Sequence, residues 1–158
     1  SKVYMKNLYV SGTPQFAGTF GVRYFIDYWF LGANLNAFGR NYIDVAPARR
    51  MEGIYNTVDP TLPETMDTYY AMTTQERIGS ACTLDLSVGK IFYLRNRQSI
   101  NFNLSVNNVL NKRDIRTGGY EQARVFASDG ALVNPALFPN KYYYMQGINC
   151  FANISYRF

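Results

Sequence analysis

Long stretches of this chain alternate apolar and polar residues with a period of two, and no other feature restricts the fold as strongly. In 98–110, Ile100, Phe102, Leu104 and Val106 interleave with Ser99, Asn101, Asn103, Ser105 and Asn107. Successive side chains of a strand point to opposite faces, so one face here is apolar and the other is amide and hydroxyl. Such a strand suits a soluble sheet with a wet outer face, or a membrane barrel with a wet lumen. Length separates the two. Strands of soluble sheets typically run about five or six residues, whereas the pattern in 141–158 persists to the last residue. Its even positions are Tyr142, Tyr144, Gln146, Ile148, Cys150, Ala152, Ile154, Tyr156 and Phe158. An apolar middle between aromatic ends is the girdle pattern of a barrel strand. Gly147, Asn149, Asn153, Ser155 and Arg157 on the odd positions suit an aqueous interior, with Phe151 as the exception.

The same alternation recurs upstream. In 78–94, Ile78, Cys82, Leu84, Leu86, Val88, Phe92 and Leu94 oppose Gly79, Thr83, Asp85, Ser87 and Gly89. Lys90 breaks the apolar face, but a lysine near a strand end can snorkel to the headgroups. Phe16, Phe20, Val22, Tyr24 and Ile26 face one way, the chain turns near Asp27, and Trp29, Leu31, Ala33, Leu35 and Ala37 return. A further strand is expected before Ser11-Gly12-Thr13-Pro14, although Lys6 spoils its apolar face. Connections alternate between tight turns near Asp27 and Asn96 and long polar loops over 40–76 and 111–140. Outer-membrane barrels have short periplasmic turns and long extracellular loops. The expected fold is therefore all-β: an antiparallel transmembrane β-barrel segment of about six strands, too few to close a barrel that needs at least about eight.

Composition removes other classes. No run approaches the roughly 18 to 20 apolar residues of a membrane-spanning helix, and the first residues, Ser1-Lys2-Val3-Tyr4-Met5-Lys6-Asn7, show no signal peptide. They read as a cut in mid-protein, so a piece of a longer chain is expected. The formal charge of +5 could serve nucleic acid, but basic residues such as Arg95, Arg97, Lys112 and Arg113 punctuate segment ends, so no nucleic-acid partner is expected. Cys82 and Cys150 have no zinc-ligand spacing. With a strand between theirs they stand roughly 9 to 10 Å apart, beyond the about 7 Å limit for a disulfide.

Several phrases together resemble the C-terminal end of TonB-dependent outer-membrane receptors, particularly the SusC-like and related ones. They are Gly12-Thr13-Pro14, Tyr42-Ile43-Asp44 with Pro47 and Arg49-Arg50, Asn107-Asn108-Val109-Leu110-Asn111-Lys112, Gly118-Gly119-Tyr120-Glu121, and the terminal Tyr156-Arg157-Phe158. The resemblance spans the whole chain and about the final quarter of such a receptor, whose barrel has about 22 strands. It implies energised import of a bulky nutrient, whether glycan, peptide or metal chelate. It also implies a plug domain, absent from this chain, through which the TonB complex acts, and an outer-membrane location. Barrel assembly machinery reading Tyr156 and Phe158, membrane lipid, and a SusD-like surface lipoprotein are the other implied partners. A passive porin or structural barrel protein, and a soluble β-rich binding module, remain open.

No catalytic constellation is visible. His is absent, and the carboxylates Asp27, Asp44, Asp59, Asp67, Asp85, Asp114 and Asp129 fall on different segments without a motif. Asp59, Glu64 and Asp67 share one loop, but a solvated acidic loop is the simpler reading, since calcium needs six or more converging oxygens. No metal or cofactor is expected. Tyr42, Tyr55, Tyr69, Tyr70, Tyr120 and Arg124 on the long loops are the candidate substrate or partner contacts, because tyrosine joins apolar area to a hydrogen-bonding tip. Asn101, Asn103, Asn107 and Asn153 are expected to face the lumen.

Overall fold

The computed structural model describes residues 1–124 and 138–158, apart from the side chain of Tyr55. Its strands are, in chain order, β1 (Phe16–Ile26), β2 (Trp29–Gly39), β3 (Asn41–Tyr42), β4 (Arg77–Ile78), β5 (Ala81–Tyr93), β6 (Ser99–Asn107), β7 (Arg116–Tyr120), β8 (Lys141–Tyr144) and β9 (Asn149–Arg157). Two helices, α1 (Glu52–Thr57) and α2 (Pro63–Thr73), lie between β3 and β4. The chain divides into a sheet unit of Gln15–Gly39, Ser80–Ile115 and Tyr144–Phe158, and a loop unit of Ser1–Pro14, Arg40–Gly79 and Arg116–Tyr143.

The sheet unit is one five-stranded antiparallel sheet in the order β1-β2-β5-β6-β9. It is open: among the described residues it does not close into a barrel, and β1 and β9 are its edges. Register carries the period-two pattern across every pair. Val22 faces Ala33, Ala33 faces Leu86, Leu86 faces Val106, and Val106 faces Cys150. All the apolar stripes therefore merge on one side, because paired residues share a face. The opposite side collects Thr19, Asn34, Asn36, Thr83, Asp85, Ser87, Asn101, Asn103, Ser105, Asn149 and Asn153. Ala17, Phe25, Phe30, Phe38, Ala81, Ile91 and Phe151 are its apolar members, and Phe25 and Phe30 meet edge to face at 5.4 Å.

Both tight turns lie where the alternation placed them. β1 and β2 are joined by Asp27 and Tyr28, with φ of 44° and 64°, the left-handed pair that a two-residue hairpin needs to match strand twist. β5 and β6 are joined around Asn96 and Arg97, also at positive φ. Lys90 turns toward the first of these ends, donating from Nζ to the Asp27 carbonyl at 2.9 Å and standing 4.7 Å over the Trp29 ring. Its position on the apolar face is thereby reconciled with its charge.

Three sequence expectations are corrected. The segment before Ser11 is not a strand: Val3 makes an isolated bridge to Met51, and the Tyr9 backbone bonds the Gln75 side chain instead of a neighbouring strand. The segment 141–158 is two strands. Between them the Gln146 carbonyl accepts from Asn108 Nδ2, and the Ile148 N–H donates to Asn111 Oδ1. Side chains thus replace the ladder and interrupt it. The stretch 40–76 is not a plain loop but holds β3, a 3-10 turn at Pro47–Arg50, and both helices. Pro63 opens α2 with Glu64 in its first turn, favourable at a helix N-terminus. Its Thr65-Met66-Asp67-Thr68-Tyr69-Tyr70 run carries no clear apolar stripe to betray it in sequence.

Apart from Ile115, the buried apolar residues among those described gather in the loop unit, where Val58 and Met72 pack with Ile54 and Tyr69, and Ile43 is wholly enclosed. At the junction of β7 and β8, a Cβ on Gly119 would strike the Lys141 carbonyl oxygen and crowd Ile43 Cγ2 and Tyr142 Cδ1, each at 3.2 Å. Gly118 would meet only Tyr143 Cδ2, at 3.3 Å. Gly119→Ala is therefore expected to cost about 1–3 kcal/mol and to open the loop unit to limited proteolysis, while Gly118→Ala leaves the digestion pattern intact. Identical digestion of both variants would show that the backbone yields instead.

Candidate functional site: an exposed apolar face and a tyrosine cleft

The sheet unit encloses no apolar core: on its apolar face Phe20 and Ile154 are each 70 % exposed, and on the polar face Phe25 and Phe151 are exposed too, while Thr83 there is buried. Phe16, Val22, Tyr24, Leu31, Leu35, Leu86 and Phe92 on the apolar side are exposed as well. Fully burying one such side chain is worth about 1.5–3 kcal/mol. Leaving this face half covered thus forfeits on the order of 10–20 kcal/mol, comparable with the about 5–15 kcal/mol net stability of a whole domain. Small apolar residues at its centre leave a shallow concavity of about 510 Å³, lined by Val22, Leu31, Ala33, Leu86, Val88 and Leu104. Aromatic rings crowd the short-turn end: Tyr24, Trp29, Phe92 and Tyr156 lie there on the apolar side, and Tyr156 pairs with Phe158 at 6.2 Å.

The polar face is knitted together by side chains. Thr19 Oγ1 donates to Asn36 Oδ1 at 2.9 Å, Asn36 Nδ2 donates to Asp85 Oδ2 at 2.6 Å, and Asp85 Oδ1 accepts the Asn108 N–H at 2.9 Å. Asn107 Nδ2 donates to Asn149 Oδ1 at 3.0 Å. Asn103 lies over Gly89, where a Cβ would come within 2.6 Å of its Oδ1. Asn101, Asn103, Asn107 and Asn153 all share this face, opposite the apolar one.

In the loop unit, Tyr42, Tyr69 and Tyr70 are brought together around one cleft of about 500 Å³. Its other wall is the segment 4–9, contributing Tyr4, Lys6 and Tyr9. Tyr9 stacks flat on Tyr42, with centroids 4.2 Å apart and planes 6° from parallel. Tyr69 and Tyr70 meet edge to face at 5.7 Å. Gln75 fixes the wall: its Oε1 accepts the Tyr9 N–H at 2.8 Å, and its Nε2 donates to the carbonyls of Tyr9 and Ile43, each at 3.0 Å. Sequence reading missed Tyr4 and Tyr9, because a spoiled strand was expected there.

The other candidates stand apart. Tyr120 lies on β7 with its ring 6.0 Å from Tyr143, and Arg124 is exposed with its guanidinium 5.5 Å over Phe138; neither lines the cleft. Tyr55 falls in α1, its side chain outside the described residues. Asp59 accepts both the N–H and the hydroxyl of Thr61, which hold its carboxyl below the usual range. Among the described residues no three potential metal ligands converge, and Asp129 lies outside them.

Behind the cleft is a buried ion pair. Arg50 Nη1 and Nη2 donate to the two Glu121 carboxylate oxygens at 2.6 and 2.8 Å, and further to the Ala46 and Thr73 carbonyls. Glu121 Oε2 also accepts the Ala46 N–H at 2.9 Å. Arg49, equally buried, donates to the carbonyls of Gln122 and Phe138. The two arginines thus tie the chain after β3 to the chain after β7.

No protein-family model, curated protein or solved structure matches the chain.

Removing one partner of a buried pair strands the other's charge, at a cost of about 3–5 kcal/mol, whereas replacing both with apolar groups is far milder. Glu121→Ala should speed amide hydrogen exchange through 43–52 and 119–122, and Arg50→Met combined with Glu121→Leu should largely restore protection. Equal exchange in the single and double variants would mean that the pair does not hold these segments together.

Proposed function

We propose that this chain is the C-terminal part of the barrel wall of an outer-membrane transporter of the TonB-dependent receptor kind, which imports a bulky nutrient. The observation that carries the reading is the continuous, exposed apolar face of the five-stranded sheet, with hydrogen-bonded amides and hydroxyls on the opposite face. A bilayer is the solvent in which that arrangement is favourable. Strands of 9 to 13 residues match the about 9–11 needed to cross the hydrocarbon when tilted. Aromatic rings at one end and a turned-back Lys90 fit an interface.

The open edges at β1 and β9 call for further strands, since unpaired backbone groups in lipid cost several kcal/mol each. In this reading the preceding part of the receptor supplies them, together with the plug through which the TonB complex acts. The long connections all leave one end of the sheet, the extracellular end, and carry the tyrosine cleft to substrate or to a SusD-like surface lipoprotein. Tyr156 and Phe158 address the barrel assembly machinery. In this reading the strands do the crossing; no helix among the described residues is long and apolar enough to cross a membrane.

With Cys82 and Cys150 first replaced by alanine, single cysteines at 103 and 153 should react with a water-borne maleimide. Those at 104 and 154 should resist it and have their spin labels relaxed by a lipid-soluble quencher. Equal aqueous reactivity at all four positions would sink the membrane reading. Uptake that stops when the TonB complex is removed supports a transporter; uptake that persists would make the protein a passive pore. Phe158 is 95 % exposed and has little packing to lose. Phe158→Ala should therefore lower the amount of protein reaching the outer membrane without changing the heat resistance of what is inserted. Normal surface levels with lowered heat resistance would reverse that assignment.

A further inference from the structure

Lys90 is the one charged residue on the apolar face of the five-stranded sheet. An ammonium has three donors. One of these goes to the Asp27 carbonyl at 2.9 Å, and the Trp29 and Phe92 rings lie 4.7 and 5.8 Å from the nitrogen. A carbonyl dipole and two ring faces hold the cation without neutralising it, and among the described residues no carboxylate pairs with it. The adjoining turn adds Arg95 and Arg97, both exposed and likewise without an acidic partner among the described residues. Against these three cations the two tight turns carry one carboxylate, Asp27.

Next to Lys90 on the same face the sheet is indented. Trp29 pairs with Lys90, Leu31 with Val88, and Ala33 with Leu86; side chains of one face recur every second residue, so these rows follow one another at about 7 Å. Ala33 is small between Val22 and Leu86. The furrow over these rows, about 510 Å³ and walled by Val22, Tyr24, Leu31, Leu86 and Leu104, runs from beside Lys90 toward the middle of the sheet. In a bilayer an acyl chain fills such a furrow, since a gap there would forfeit dispersion contacts. A chain lying along it puts its headgroup beside Lys90. A phosphodiester supplies what the ammonium lacks, acceptor oxygens for its two other donors and a negative charge. An ethanolamine headgroup brings an ammonium of its own, which the three cations oppose; a glycerol headgroup does not.

We propose that Lys90 and the furrow beside it form a site for one anionic glycerophospholipid, its phosphate on the Lys90 ammonium and an acyl chain along Leu31, Ala33, Val88 and Leu86. Resting on the barrel-wall reading above, the site lies in the leaflet next to the short turns and gives that wall a headgroup preference beyond general solvation by the bilayer.

The test uses the complete protein, extracted in detergent and titrated with phosphatidylglycerol, phosphatidylethanolamine or lipid A while native mass spectrometry counts the lipids retained. One phosphatidylglycerol should be held, with about tenfold preference over phosphatidylethanolamine, the scale of one charge-assisted bond. Lys90→Gln should abolish the preference and Lys90→Arg should keep it, while Lys2→Gln, which removes an exposed charge elsewhere, changes nothing. Ala33→Leu fills the furrow and should weaken phosphatidylglycerol binding about tenfold or more, because the chain loses its contacts. Should Lys90→Gln not fold, Ala33→Leu still decides. Equal retention of the two phospholipids, a preference that survives Lys90→Gln, or unchanged binding in Ala33→Leu would overturn the site, as would stronger retention of lipid A than of phosphatidylglycerol. A heat-modifiable gel band from the same sample reports the barrel separately. A folded barrel without selective retention sinks the lipid site alone, whereas selective retention by a protein without that band sinks the barrel reading alone.

Discussion

Everything in the sheet unit depends on its strands pairing in phase. The side-chain period of a strand is two, so a slip of one residue at any pair would send an apolar stripe across to the amide side. The left-handed pair Asp27 and Tyr28 fixes the phase between β1 and β2, aligning Ile26 with Trp29 and Tyr24 with Leu31. The turn at Asn96 and Arg97 does the same for β5 and β6, bringing Phe92 against Ile100. The in-phase pairing of β2 with β5 and of β6 with β9, across long connections, completes a single apolar face, its aromatic end and the collection of amides behind it.

The polar face shows what phase alone does not supply. Amides and hydroxyls that give up water need partners, because each unsatisfied group costs about 1–3 kcal/mol. Thr19, Asn36 and Asp85 satisfy one another across three strands, and the chain of bonds continues into the Asn108 N–H. Asn108 then uses its side chain on Lys112 and on the Gln146 carbonyl. The polar stripe thereby organises the place where β6 ends and the approach to β9 begins. The Oδ1 of Asn101 is the exception, buried without a partner among the described residues.

In the loop unit the corresponding constraint is charge. Arg49 and Arg50 are buried, and a guanidinium survives burial only when its donors are met. Glu121, the Ala46 and Thr73 carbonyls, and the carbonyls of Gln122 and Phe138 meet most of them, while Arg50 Nε is buried without a partner among the described residues. Around this pair the short strands β3, β4 and β7 and the helix α2 are placed so that tyrosines from separate stretches border one cleft.

The sequence by itself determined the faces. Alternation is a local property, carried by neighbouring residues, so the sides taken by Ile100, Phe102 and Leu104 and by Asn101 and Asn103 were legible, as were the two tight turns. The two antiparallel hairpins, β1 with β2 and β5 with β6, followed from those short connections, whereas the pairing of β2 with β5 and of β6 with β9 crosses long ones. Only the tertiary structure decided the loop unit. Arg50 and Glu121 stand 71 residues apart, Gln75 and Tyr9 stand 66 apart, and no periodicity links positions so distant. α2 escaped notice because it lacks an apolar stripe, and the break at 145–148 because it is made by side chains of Asn108 and Asn111 rather than by residues within it. Of the loop candidates, Tyr42, Tyr69 and Tyr70 meet while Tyr120 and Arg124 do not, because a side chain's identity says what it can bind and only the chain's long-range contacts say what stands beside it.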